Sequence, residues 1–534
     1  MIKQYCNKLL ENKYLIILVI IGGLIRLNSQ LWIIGLNVDA IDYSWPAMHL
    51  IQGKGYTMGN GEIPGFRQPL LVLLMAGVYL IAGVNHYSAR VPAIVAGILC
   101  PLVVYYATKE FFDKKAALYA CTLAIINPSL ISISGEVYRD SINTIFVLLI
   151  LILGHRALKS KKSHVFAQIG VLLGLGYLMR SESILFLFLL GVYFIYNWKE
   201  DFKKLGKLLG ILCIVLLIII LPWIAYNYYS FGISNLESYV IAYQYYIHEF
   251  KVLPPRVPHL PIYTTSPTIY IFAHTPETLV VGYLGGLYRA WMEFAKYLTP
   301  IGFFLFMMGF LLSLRRSKLI LHLAVLYYFV VFAFPVYIWW HLAIRFLATS
   351  IAVAIVLAGA GLSRVVSYMQ DRLNDLTFSS KIKIPKIVII NLVIAGCLIG
   401  VTINGLVLEK DRIELLNGLQ SDLLHRAGLW LKDHSEEDSI IATNFPNLIQ
   451  QYSQRDTIDL NKNDIDKLLE NPPSSEFYIL VDSTCIQSDS LIEMYLYAKW
   501  KDGQMPYQIS IQENVKLLYV AEQYYTVAIY KKTS

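Results

Sequence analysis

Charge is what this sequence has little of. Asp, Glu, Lys and Arg together make up 15% of its 534 residues, against about a quarter in ordinary soluble domains. A free-standing soluble enzyme is excluded on that ground. Cysteine is scarce too: six residues, scattered singly, with no paired spacing. That excludes a disulfide scaffold and a cysteine-built metal centre. Internal repeats and low-complexity linkers are absent as well, which counts against a transporter assembled from paired repeats.

What fills the chain instead is apolar. Hydrophobic residues reach 56% and the mean hydropathy is +0.52, the composition of a polytopic membrane protein. About eleven spans are expected, near 14–34, 88–108, 116–133, 141–157, 165–180, 183–197, 208–225, 297–314, 319–337, 346–363 and 387–407. The apolar stretch 69–84 is left out of that set and read as an amphipathic or re-entrant segment along the surface. With that choice the basic segments 109–115, 155–162, 199–207, 315–318 and 364–386 fall on the same side as Lys3, Lys8 and Lys13. This is a positive-inside pattern, so the N-terminus is expected in the cytoplasm of a cell whose plasma membrane the chain crosses many times. The net charge of +8 is thereby a topology signal, and no nucleic-acid partner is implied. The basic start followed by a long apolar run, with no small-residue cleavage site, reads as an uncleaved first span.

Three segments then face the outside: a first loop over 35–87, a long loop over 226–296, and a tail over 408–534 in which polar residues return. In the tail, 439–444, 476–482, 515–521 and 525–532 read as short strands, and 411–433 and 488–500 as helices. The expected fold is an all-α polytopic membrane bundle over residues 1–407, with a small extracytoplasmic α/β domain over 408–534.

Ionisable residues gather at the outer ends of the spans. Asp39 and Asp42 lie in NVDAIDY, within the first loop; Glu136, Arg139 and Asp140 lie in SGEVYRDS, between the third and fourth spans; Arg90 opens the second span and Arg345 the tenth. Charges at a membrane edge are costly and tend to be functional, although a single Arg can equally snorkel or serve a structural ion pair. A carboxylate partly removed from water suits a general base for a hydroxyl. A nearby Arg suits a phosphate, because its planar fork matches the oxygens. Together they could serve transfer from a phospholipid-like donor. The blander readings stand beside this one: Asp42 in solvent, Glu136 paired with Arg139, and Arg180 paired with Glu182. His248, Glu249, His259, His274, Glu277 and Glu293 populate the long loop without metal-ligand spacing. No cofactor is assigned, and a divalent cation is left open.

The order of these residues resembles the GT-C class of integral-membrane glycosyltransferases, in the branch holding protein O-mannosyltransferases and the lipid A aminoarabinose transferase. That branch carries D-E-x-x-Y after its first span; here Asp39 and Tyr43 match and Ala40 stands in place of the Glu. Ala47, Leu50, Gly53, Gly55 and Tyr56 follow its next motif, then Phe66 and Pro69, an amphipathic stretch ending in Gly83, and Ser88 with Arg90. Asp140 matches the acid of the second external loop. GYLMRSE at 176–182 is similar to its G-x-x-x-R-x-E. PWIAYN at 222–227 follows its P-W-x-x-R-N, except for Tyr226. The likeness is good over 35–235, loose to about 365 and absent in the tail.

The resemblance implies an inverting transfer of one sugar from a polyprenyl-phosphate donor to a protein, lipid or glycan acceptor outside the cytoplasm. It implies Asp39 as base and Asp140, with Glu136 one turn earlier, as orienting or supporting acids. Asp42, Tyr43 and Tyr56 would line the substrate. The family's phosphate-holding Lys falls on Gln68 here, so Arg67, Arg90 and Arg345 are the candidate cations. A transporter or flippase of a lipid-linked glycan is the competing expectation.

Overall fold

The computed structural model describes residues 13–30, 38–58, 67–199, 201–231, 276–338, 343–375, 386–417, 420–460, 465–474, 476–481, 515–522 and 526–532. The chain divides into two compact units. The first comprises residues 1–30, 65–78 and 90–409, and the second residues 31–64, 79–89 and 410–534.

The first unit is helical. Its described elements are α1 (Lys13–Gln30), then, after α2 (Val38–Ile51) of the second unit, α3 (Pro69–Ala82) and α4 (His86–Phe111), each of which has residues assigned to both units. Next come α5 (Lys114–Ile126), α6 (Pro128–Gly135), α7 (Asp140–Ser160), α8 (Ser163–Met179), a 3-10 turn (Ser181–Leu185), α9 (Phe186–Asn197) and α10 (Phe202–Phe231). After the undescribed stretch follow α11 (Pro276–Leu298), α12 (Pro300–Leu312), α13 (Leu319–Ile338), α14 (Ala343–Asp375) and α15 (Lys386–Asn417). Among the described residues four helices are long and apolar enough to cross a membrane, up to six if each bent pair is one span, and five shorter apolar helices accompany them.

α14 is the centre of the bundle. Every residue from Leu347 to Ala358 is buried, and the helix packs on α5, α6, α7, α11, α12 and α13. Small residues let those backbones close in, as expected where helices associate by packing in lipid. A Cβ on Gly309 would lie 1.9 Å from the Leu357 carbonyl oxygen, and one on Gly359 2.7 Å from that of Ala116.

Two helix pairs are bent, and both bends have a chemical cause. α5 and α6 meet at 54° across Asn127 and Pro128. Pro128 has no N–H to return to the carbonyls of the preceding turn. The fully buried Arg26 answers them instead, donating to the Ala124 carbonyl at 3.0 Å and to that of Ile125 at 3.4 Å. The Asn127 side chain accepts from the Leu130 N–H and donates to the Tyr297 carbonyl at 2.9 Å. α11 and α12 meet at 108° just beyond Tyr297, where Thr299 sits at φ +66° and caps α12. The sequence predicts one span over 116–133 and a long loop over 226–296; α11 instead occupies Pro276–Leu298, because Leu284, Leu287, Tyr288 and Trp291 recur at helical spacing.

The basic segments meet at one end. Glu110 accepts from Arg156 at 2.8 Å and Lys159 at 3.2 Å, Lys115 donates to Gln370, and the Lys318 ammonium lies 3.6 Å from the centre of the Phe112 ring. Asp140 and Lys159 stand at opposite ends of α7, about 30 Å apart at the helical rise.

The second unit contains α2 and a small α/β fold: α16 (Gln420–His434), β1 (Ile440–Thr443), α17 (Pro446–Ser453), β2 (Asp456–Asp459), α18 (Ile465–Glu470), β3 (Phe477–Val481), β4 (Val515–Glu522) and β5 (Thr526–Lys532). The sheet order is β2-β1-β3-β5-β4. β1 runs parallel to both neighbours, whereas β5 is antiparallel to β3 and β4. Four strands coincide with the expected ones; β2 is additional, a polar edge strand too short to show alternation. Arg455 ties β2 to α16 by donating to the Lys432 carbonyl at 3.0 Å and the Ser435 carbonyl at 2.7 Å, which caps the helix end. The expected helix at 488–500 lies outside the described residues.

Candidate active site

The bend at Asn127 aims α6 so that the chain leaves it at Glu136 and re-enters a helix at Asp140, four residues later. Glu136, Arg139 and Asp140 are all buried. Asp140 occupies the first turn of α7, where the positive end of the helix dipole favours a carboxylate. α8 ends at Met179, and Arg180 turns into extended backbone (φ −148°) before the 3-10 turn. That break brings the Arg180 guanidinium to Asp140, with Nη1 2.7 Å from Oδ1. The other nitrogen, Nη2, lies 3.1 Å from Glu182 Oε1.

The local Arg180–Glu182 pair read from the sequence therefore exists, but it is half of a three-member cluster. The side chains of Arg180 and Asp140 are 6% and 7% exposed and that of Glu182 is 19% exposed, so the charges meet largely out of water. Glu182 Oε2 is buried and has no hydrogen-bond partner among the described residues, which leaves an acceptor for a hydroxyl.

A polar layer fixes the cluster from below. Ser183 donates to Asn143 Oδ1 at 2.9 Å, and Asn143 donates to the Tyr328 hydroxyl at 3.2 Å. The Thr144 hydroxyl donates to the Asp140 carbonyl and shares a hydrogen bond of 2.8 Å with Thr349. Tyr327 donates to the Glu182 carbonyl. Aromatic faces hold the cations. The Arg180 guanidinium lies 5.0 Å from the Phe332 ring centre, and Arg345 lies 4.8 Å from that of Tyr138 and 4.9 Å from that of Phe346. Such contacts fix the plane of a guanidinium and so the directions of its donors.

Gln68, at the position where the resemblance expects a Lys, is buried and accepts a hydrogen bond from Arg139, which also donates to the Met179 carbonyl at 3.4 Å. Arg67 beside it is half-buried, and Arg90 is among the largest fully buried side chains. Sequence reasoning missed Arg180 as the partner of Asp140 and Arg139 as the partner of Gln68. The signal for the first was GYLMRSE itself.

In the second unit α2 carries Asp39, Asp42 and Tyr43. The side chain of Asp39 lies outside the described residues; Asp42 is half-buried, with interactions of its own rather than simple solvation, and Tyr43 is buried. Pro46 lies inside the helix. The chain leaves it through Gly53 (φ +73°) and Gly55 (φ +83°), a left-handed turn that residues with a Cβ resist. Tyr56, half-buried, follows. His49 bonds to the Thr57 hydroxyl at 2.9 Å and closes the turn. Burial, and then nearby Lys54, pulls its pKa below the ordinary histidine range. Phe66 and His248, Glu249, His259 and His274 lie outside the described residues. Among the described ones no three His, Cys, Asp or Glu side chains gather to hold a metal.

Residues 66–226 match the family model described as dolichyl-phosphate-mannose-protein mannosyltransferase. No curated protein matches the chain in sequence. Two kinds of solved structure share its fold. ArnT from Cupriavidus metallidurans, bound to undecaprenyl phosphate, superposes with a TM-score of 0.58 at 12% identity, over 97% of this chain and 98% of that one. The archaeal oligosaccharyltransferase AglB from Archaeoglobus fulgidus, in complex with an inhibitory peptide and a dolichol-phosphate, gives 0.59 at 14% identity, over 92% of this chain and 71% of that one. The chain thus shares the fold of these solved structures, and its residues 66–226 match that family model.

Proposed function

We propose that this protein moves one sugar from a polyprenyl-phosphate carrier to an acceptor on the extracytoplasmic side of the membrane, with inversion at the anomeric carbon. The acceptor is a protein, lipid or glycan. The observation that carries the reading is a coincidence of two independent results. The family match over 66–226 spans the segments that build the buried Asp140–Arg180–Glu182 cluster. A membrane bundle that only had to stand in lipid would gain little from three ions placed there.

In this reading Asp39 takes the proton from the acceptor hydroxyl. The acceptor oxygen forms its bond to the anomeric carbon as the bond from that carbon to the phosphate oxygen breaks. The leaving group is the polyprenyl phosphate, its charge met by Arg67, Arg90 and Arg345. Asp140 and Glu136 orient the acceptor or support the base, and Asp42, Tyr43 and Tyr56 line the substrate. The N-terminus is cytoplasmic and the C-terminal domain lies outside the plasma membrane. The meeting of the basic segments at one end of the bundle supports that orientation.

The test is transfer from labelled polyprenyl-linked sugars in native lipid extract, using vesicles holding the wild type or Asp39→Asn. The wild type moves label from the polyprenyl fraction to another; Asp39→Asn, correctly inserted, does not. A variant as active as the wild type would remove Asp39 as the base. Label that changes sides without changing carrier would make the protein a flippase, a reading that the comparisons do not favour.

A further inference from the structure

The second unit joins chain segments that are far apart in sequence: the first external loop, the end of α3 with the start of α4, and the whole C-terminal domain. α2, the helix on which Asp39 sits, packs against α17 of that domain. Ser44 on α2 shares a buried hydrogen bond of 2.8 Å with the Tyr79 hydroxyl at the end of α3. Tyr452 lies on α17, its ring centre 4.2 Å from that of His425 on α16. Ser44, Tyr79 and Tyr452 are 1%, 3% and 9% exposed, so all three are buried.

α17 is itself held firmly. Leu448 and Ile449 are buried, and α16 lies so close that a Cβ on Gly428 would stand 2.7 Å from Tyr452 Cβ. Arg455, two residues past α17, is anchored to the end of α16. α2 cannot rely on its own helix propensity. It is 14 residues long with Pro46 inside, and an isolated helix of about 12–15 residues is marginal even without a proline. Its order must come from what it packs on.

We infer that the C-terminal domain is a brace for the helix bearing Asp39, and that Tyr79 and Tyr452 are positioning residues for that carboxylate. The inference rests on Asp39 being the base. A base displaced by about 1 Å loses on the order of a hundredfold in rate, so a loosened brace lowers turnover while leaving the phosphate-holding Arg67, Arg90 and Arg345 of the first unit in place.

The experiment uses the full chain in lipid nanodiscs. Hydrogen exchange across residues 38–51 is measured with the kinetics of sugar transfer, for wild type, Tyr452→Ala, Tyr452→Phe, Tyr79→Phe and Asp39→Asn. In Tyr452→Ala, exchange in 38–51 should rise at least tenfold while that of α14 stays fixed. kcat should fall by about 10- to 100-fold, with the donor KM within about twofold. Tyr452→Phe should restore both. Tyr79→Phe removes a single hydroxyl, folds in any case, and should lower kcat by about 2- to 10-fold, the worth of one hydrogen bond.

Unchanged exchange in both Tyr452→Ala and Tyr79→Phe would overturn the brace. Raised exchange with unchanged kcat would overturn the positioning role. An active Asp39→Asn would remove the base assignment instead, and the exchange data would still decide the brace.

Discussion

Replacing Arg180 by methionine keeps much of the side-chain volume and removes the cation that bonds both Asp140 and Glu182. The two carboxylates would remain with side-chain exposures of 7% and 19%. Breaking a buried ion pair by removing one partner costs about 3–5 kcal/mol, because the partner is left uncompensated. Glu182 is wet enough to relax, so most of the cost falls on Asp140, and we expect destabilisation of about 3 kcal/mol. Asp140→Asn leaves Arg180 on Glu182 and should cost about 1–2 kcal/mol, the loss of one charged hydrogen bond. The double variant no longer strands a buried carboxylate on α7. It should therefore be more stable than the two costs summed, with a coupling of about 1–3 kcal/mol. The assay is reversible unfolding in mixed micelles, run as a double-mutant cycle with Glu182→Gln as a third corner. An Arg180→Met variant within about 0.5 kcal/mol of wild type, additive with Asp140→Asn, would refute the claim that these groups form one buried unit.

Helix packing and pH make two further tests. Gly309→Ala would put a methyl 1.9 Å from the Leu357 carbonyl oxygen, so it should cost about 1–3 kcal/mol through overpacking. Gly396→Ala, whose Cβ would meet nothing within 4 Å, should be neutral or gain up to about 1 kcal/mol of helix propensity; equal effects at the two sites would contradict the packing. In the C-terminal domain the bond to Lys531 holds the Glu476 carboxyl below its ordinary range, and the bond to Glu476 holds the Lys531 ammonium above its own. The Glu476 contribution is then complete above about pH 4.3 and is lost as pH falls through its lowered value. That of Lys531 is complete below about pH 10.4 and is lost as pH rises through its raised value. With side chains 21% and 30% exposed, the pair is worth about 0.2–1 kcal/mol. Lys531→Met should flatten the acid limb of exchange protection in β3 and β5 by that amount, and an unaltered limb would show that the pair contributes nothing.

The apolar, helical character of the chain was legible because long apolar runs need no tertiary information. What failed was legible only in part. Pro128 announced a break, but its angle depends on Arg26, about a hundred residues earlier in the chain, reaching the freed carbonyls. α11 was hidden because Glu277, Arg289, Glu293 and Lys296 lower the hydropathy averaged along it, so that hydropathy alone reads a loop. In the site, Asp140 and Glu136 stood out as acids at a span end. The role of Arg180 did not, because Glu182 two residues away offered a sufficient local partner. Nothing in the linear order ties residue 180 to residue 140. Only the extended backbone at Arg180, between α8 and the 3-10 turn, swings its guanidinium across to α7.

Gln68 carries that lesson furthest. From sequence it was a departure that removed a cation from the site. In the fold its amide oxygen accepts from Arg139, a hydrogen bond that a Lys at this position could not accept. A neutral acceptor at 68 is what such an Arg requires, since a Lys there would repel it. The substitution and the arginine are therefore one feature, and neither residue read alone could reveal it.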